Sequence, residues 1–155
     1  MSNIYFPDEQ ITFGDLYFVC YMIERVARSI RQRNRYVVER LGGEGIARQL
    51  SIAGTNHSLN PEQVVNDWKE EYHLESGTTD VTRVDRRFTD TVPSATQMGK
   101  VYARLIETVS QGQELVPSLQ KVYASPICDV IDNYNSSAYY EPSYVQVRAY
   151  RNGFF

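Results

Sequence analysis

The sequence predicts an all-α domain of six to eight helices with one long central loop. Three observations point to it. Apolar residues recur at three- and four-residue steps through most of the chain, residues that start and stop helices bracket those runs, and 155 residues with 42% hydrophobic and 23% charged side chains are globular values. A chain of this length buries roughly 70% of the surface it exposes when unfolded, so it needs neither a metal nor a disulfide to stand up. The expectation is one helical domain over residues 1–155, with a division into two parts at residues 76–93 as the alternative.

From Thr12 to about Gln32, Phe13, Leu16, Tyr17, Val19, Cys20, Ile23, Val26, Ala27 and Ile30 mark a helix with one buried face. Thr12 with Asp15 three residues later forms an acidic relative of the capping box. "NRYVVERLGG" reads as a second helix, capped by Asn34 and stopped at Gly42 or Gly43; "EGIARQLSIAG" reads as a third, ended by Gly54. "NPEQVVNDWKEEYHL" has the clearest start in the chain: Asn60 as cap, Pro61 at the first helical position and Glu62 in the first turn. Val64, Val65, Trp68 and Tyr72 are its expected buried side.

The pattern breaks in "SGTTDVTRVDRRFTDTVPS", where only Val81, Val84, Phe88 and Val92 offer anchors. This is the predicted long loop and the best hinge in the sequence. Helix resumes at "SATQMGKVYARLIETVSQG", with Ser94 and Gln97 as a capping box and Gly112 as the stop. Two shorter helices follow in "ELVPSLQKVYA" and "SPICDVIDNY", the second opened by Ser125 and Pro126. The tail "EPSYVQVRAYRNG" fits a helix started by proline, although Val145, Val147 and Ala149 also alternate as in a strand.

Charge and cysteine usage narrow the function classes. Residues 1–60 carry seven arginines and no lysine against six acids, residues 61–95 four basic groups against eight acids, and the remainder five of each, for a net charge of −3. No segment is basic enough to hold phosphate backbones by charge alone. The start "MSNIYFPDEQ" lacks the basic and apolar regions of a secretory signal, and the longest strongly apolar stretch, Leu16 to Ile23, is far below the roughly 20 residues that cross a bilayer. The expectation is a soluble cytoplasmic protein without membrane contact, its cysteines, Cys20 and Cys128, free and buried.

No reaction motif stands out. His57 and His73 are sixteen residues apart on different elements, without the close spacing of a zinc site, and no cofactor is expected. Cys128, two residues past Pro126, lies near a helix N-terminus, where a thiol becomes more acidic; it and paired carboxylates among Asp67, Glu70, Glu71 and Glu75 are the candidates for a small enzyme. The first alternative, ahead of the enzyme, is a DNA-binding regulator. Arg28, Arg31 and Arg35 fall three and four residues apart, and the helices around "LGGEG" suggest a helix-turn-helix whose second helix offers Arg48 as a base reader. Glu24, Glu39 and Glu44, however, lie among these arginines and are available to pair with them. The residues from Asn135 to Phe155 hold four of the twelve tyrosines and end in two phenylalanines. Tyr139, Tyr140, Tyr144, Tyr150, Phe154 and Phe155 either pack across the earlier helices or meet a partner, since an apolar ring with a polar tip suits a half-buried boundary and an interface equally.

Three stretches, "NPEQVVNDWKEEYHL", "TQMGKVYARLI" and "VYASPICDVIDNYNSSAYYEPSYV", together about a third of the chain, resemble a group of small, mostly helical, uncharacterised bacterial proteins. Some of these are encoded beside ADP-ribosyltransferase-like toxin genes in cassettes suggestive of toxin-antitoxin systems. The resemblance implies a bacterial cytoplasmic regulator that binds another protein, and it carries over no catalytic residue. The sequence reading is therefore a non-enzymatic interaction protein whose partner is another protein or a second copy of itself.

Overall fold

A single helix organises the molecule. In the computed structural model, which describes residues 1–155, α1 (Phe13–Ile30) is the central strut: Val19, Cys20, Met22, Ile23 and Val26 are fully buried. Around it stand α2 (Asn34–Ser51), α3 (Ala53–Asn56), α4 (Pro61–Glu71), α5 (Ala95–Val109), α6 (Leu115–Ala124), α7 (Pro126–Ile131) and α8 (Ser143–Asn152), with a 3-10 turn at Ala138–Tyr140 and no β-strand. No helix is long and apolar enough to cross a membrane.

Three caps fall where the sequence placed them. Thr12 and Asp15 exchange both capping-box hydrogen bonds, Ser94 and Gln97 do the same, and the Asn60 side chain accepts from the Glu62 amide ahead of Pro61. These pairs satisfy amides that the first turn of a helix leaves without partners.

The tightest packing is between α1 and α5. It depends on Gly99: a Cβ there would lie 2.6 Å from the Tyr21 backbone, far inside contact distance. The absent side chain lets the two backbones approach. A single cluster of 34 buried apolar residues draws on all eight helices, so residues 76–93 do not separate two cores.

The expected stop in "NRYVVERLGG" is present: α2 is two helical segments joined at a sharp kink, where Gly42 takes φ 66°, ψ 177°, a conformation glycine adopts without a Cβ penalty. One expectation needs correction. Asn34 is no cap: Arg33 holds the cap position without a side-chain bond, and Asn34 is buried inside the helix.

The 76–93 stretch is tied down at its start. The amides of Gly77 and Thr79 donate to the carbonyls of Ile30 and Arg31 at 2.8 and 2.9 Å, and the Asp85 amide donates to Asn135 Oδ1 at 2.6 Å. Val81 and Val84 pack on the core, whereas Phe88 and Val92 are exposed. This segment therefore closes over the C-terminal end of α1.

Candidate functional site

The fold gathers polar groups where α1, α2, α5 and α7 meet. Glu24 follows Cys20 by four residues and precedes Ala27 by three, which places its carboxyl on the buried face of α1, 4% exposed. Asp132 follows the buried Cys128 by four residues, at the end of α7. Asn34 spans the two acids: its Nδ2 donates to Glu24 Oε1 at 3.1 Å and to Asp132 Oδ2 at 2.9 Å. Asp132 has two further donors. The Tyr102 hydroxyl donates to its Oδ1 at 2.7 Å, and the Cys128 thiol lies 3.3 Å from its Oδ2.

The two acids are therefore unequal. Asp132 is met by three donors and Glu24 by one. Burial, then the Asp132 charge, push the Glu24 carboxyl from 4.5 up to about 8, against the pull of Asn34 and Arg28. Burial also raises Asp132, opposed by its bonds from Tyr102, Cys128 and Asn34 and by the Arg33 charge. Two carboxyls this close in a desolvated place retain a proton between them. The bonding pattern puts it on Glu24.

Glu24 and Asp132 line a cavity of about 380 Å³, bounded by the end of α1, the turn into α2, the Thr79–Arg83 segment and the chain from Asp129 to Asn135. Three arginines share its wall, Arg28, Arg33 and Arg83. None of them pairs with either acid. Arg33 and Arg35 both reach Asp129, and Arg28 donates to the Tyr134 hydroxyl at 3.1 Å with its guanidinium 5.7 Å from the centre of that ring. A larger cavity of about 600 Å³, between the N-terminal arm, the start of α1 and the α5–α6 turn, is lined by Met1, Ile11, Phe13 and Leu16 among others, and no buried polar group converges there.

The sequence candidates are scattered. Cys128 is 1% exposed, and burial followed by the Asp132 charge pushes its thiol well above the ordinary range, opposite to the shift expected beside a helix N-terminus. Cys20 is likewise buried and raised to about 12 by desolvation. Asp67, Glu70, Glu71 and Glu75 are exposed on or just past α4.

Nor do the four candidate arginines form one face. Arg28 is engaged by Tyr134, Arg35 by the Tyr123 and Ser125 carbonyls and Asp129, and Arg48 by Glu71 at 2.7 Å and the Tyr5 hydroxyl at 2.8 Å. Arg31 is exposed in a left-handed conformation just past α1. The expected acidic partners Glu24, Glu39 and Glu44 take none of the arginines; Glu62, Glu71, Asp85 and Asp129 do. His57 packs on the Phe18 ring, and no group of three metal-ligating side chains converges anywhere.

The C-terminal aromatics divide into two sets. Tyr139 and Tyr150 are half-buried against the core, whereas Tyr140, Tyr144, Phe154 and Phe155 are exposed. Helix α8 is seated by Val147 and Ala149, and by Gln146, whose Nε2 donates to the Ala138 and Tyr139 carbonyls at 2.9 and 3.1 Å. Its outer side carries Tyr144, Arg148 and Arg151 along a shallow groove shared with Thr108.

Sequence reasoning missed Glu24, Asn34, Tyr102, Asp132 and Tyr134 as a group. One signal was present: Glu24 interrupts an apolar stripe, and an acid there must find a partner or keep its proton. No protein-family model, curated protein or solved structure matches the chain.

Proposed function

We propose that the chain is a non-enzymatic binding protein that engages another protein, or a second copy of itself, through the outer side of α8 and the residues after it. One observation carries this reading. Tyr144 is 71% exposed beside Arg148 and Arg151 on α8, whose other side is fixed in the core, and Phe154 just after the helix is 69% exposed. Tyrosine, phenylalanine and arginine are the residues enriched where proteins meet, because they combine large apolar area with directional polar contacts. Neither Arg148 nor Arg151 has an ion-pair partner in the chain, so the complementary surface is apolar with acidic groups at its edge.

The reading is supported over the cysteine version of the enzyme alternative by the buried Cys128 thiol, held neutral by desolvation. It is supported over nucleic-acid binding by the intramolecular partners of Arg28, Arg35 and Arg48. The sequence resemblance adds that the setting is a bacterial cytoplasm. The test is a double substitution, Tyr144→Ser with Phe154→Ser, compared with wild type by light scattering across a concentration series and by capture from native-host extract. Both side chains are exposed, so the thermal midpoint should not change, while self-association or capture is lost. A folded double variant that associates and captures as wild type does removes the surface from consideration.

A further inference from the structure

We propose that the cavity at the end of α1 is a binding site for a small ligand carrying a positively charged nitrogen, an amine or a guanidinium, seated against Glu24 and Asp132. The site is independent of the α8 surface.

The first argument is an imbalance of charge. The cavity lining holds four acids, Glu24, Asp80, Asp129 and Asp132, against three arginines, of which Arg33 is paired with Asp129, Arg28 donates to the neutral Tyr134 hydroxyl and Arg83 is exposed at the rim. The Glu24–Asp132 pair shares one amide group and no cation. A buried carboxyl without a counter-charge is costly to ionise, and the usual remedies are an ion pair or retention of a proton. This pair retains the proton, which leaves it ready to exchange that proton for a cation.

The second argument is direction. Glu24 receives a single hydrogen bond, at Oε1; its other oxygen receives none and opens onto the cavity. The remaining groups around it are poor replacements for a ligand. On its own helix lie Cys20 and Arg28; from α2 come Asn34 and Arg33, from α7 and its end Cys128, Asp129 and Asp132, from α5 and α6 Tyr102 and Tyr123, from the segment across the cavity Asp80 and Arg83, and beyond them Tyr134. The thiols and phenols in this set are held neutral by burial.

The third argument is size and class. A cavity of about 380 Å³ falls in the range that holds small molecules. A metal ion would want at least three converging ligands, and no such set exists. Gln32 on the wall, whose Nε2 donates to the Glu75 carbonyl and whose Oε1 receives no hydrogen bond, supplies a neutral acceptor for an additional N–H group of an amine or guanidinium.

Cation and proton compete for the same oxygen, so affinity must rise with pH until Glu24 is ionised. The carboxyl titrates at about 8, and a ligand that requires its ionised form should bind roughly a hundredfold more weakly near pH 6 than near pH 9.

The experiment is calorimetric titration of the full chain with agmatine, which carries both cationic groups, and with acetate as the anionic control. Agmatine should bind with a dissociation constant of about 1 mM or tighter near pH 9, weaken steeply toward pH 6, and release a proton near pH 7, read from two buffers of different ionisation enthalpy. Glu24→Gln should lose at least tenfold in affinity. If that variant does not fold, proton release by the wild-type chain decides the matter alone. Absence of saturable agmatine binding at pH 9, binding indifferent to pH or to Glu24→Gln, or preferential binding of acetate to the arginine wall would each overturn the proposal.

Discussion

Replacing Glu24 by glutamine should stabilise the protein at alkaline pH and do little at acid pH, and the size of the effect follows from the site. The carboxyl moves from 4.5 in the unfolded chain to about 8 in the fold, a separation worth about 5 kcal/mol at ~1.4 kcal/mol per unit. Below the lower value both states hold the proton, and nothing changes with pH. Between the two values the unfolded chain has lost the proton and the folded chain retains it, so the fold binds more protons. Its stability then falls by about 1.4 kcal/mol per pH unit. Above the higher value the whole stabilisation is gone. Asp132 shifts in the same direction and shares the proton, which makes the pair, rather than either residue, the titrating unit. Glutamine preserves the shape and the acceptor for Asn34 Nδ2 but cannot ionise. The stability difference between Glu24→Gln and wild type should therefore grow by roughly 3 kcal/mol from about pH 5 to pH 8. With a urea dependence of about 2 kcal/mol per molar, that is a midpoint difference widening by about 1.5 M. Urea unfolding of both proteins across this range measures it, and parallel profiles, with a gap constant to about 0.5 kcal/mol, would refute the reasoning.

Two further substitutions probe the packing beneath the cavity. Gly99→Ala places a methyl 2.6 Å from the Tyr21 backbone, so α1 and α5 must separate, and we expect a net loss of about 1–3 kcal/mol even after the gain in helix propensity; a higher thermal midpoint would contradict the close crossing. Tyr123→Phe keeps the ring stacked on Tyr102, 4.5 Å between centroids, and removes a fully buried hydroxyl that has no partner of hydrogen-bonding geometry, its polar neighbour being the Cys20 thiol. Stability should hold or rise by about 1 kcal/mol, and a loss of that size would mean the thiol bonds the hydroxyl after all.

Local signals carried the helices and failed at the site for a physical reason. Capping boxes such as Thr12 with Asp15, or Ser94 with Gln97, act within three residues, and an apolar stripe is a property of one helix at a time. Both are legible without knowing the rest of the fold. The contacts that make the cavity join residues 98 positions apart, as between Asn34 and Asp132, and no spacing reports them. Asn34 shows how the local signal misleads. Its side chain is as suited to capping a first turn as to bridging two acids, and burial against Glu24 decides for the second. Gly42 shows the opposite: the local signal holds, since at φ 66°, ψ 177° it breaks the helical path, and Ile46 and Leu50 are buried in the segment that follows. The helical tail was legible from proline. Which of its aromatics stay exposed was not, because that depends on where α8 lies against α5.

The cavity wall and the C-terminal surface are joined by one series of aromatic contacts. The Arg28 guanidinium lies over Tyr134, whose ring meets Tyr139 edge-on at 5.4 Å, and Tyr139 meets the exposed Tyr140 at 4.8 Å. Tyr134 is 3% exposed and touches Arg28 on one side and Tyr139 on the other, so truncating it would disturb the cavity, the core and the aromatic series together. A defect produced there says nothing about which region matters. Glu24 and Tyr144 stand outside the series, one buried at the cavity floor and the other exposed on α8, and neither contacts the other's surroundings. Ligand binding lost only with Glu24 and association lost only with Tyr144 would establish two sites with separate chemistry. Loss of both properties from either substitution would require that Arg28 and the tyrosines shift as a unit, and would place the coupling in those ring contacts rather than in the apolar core.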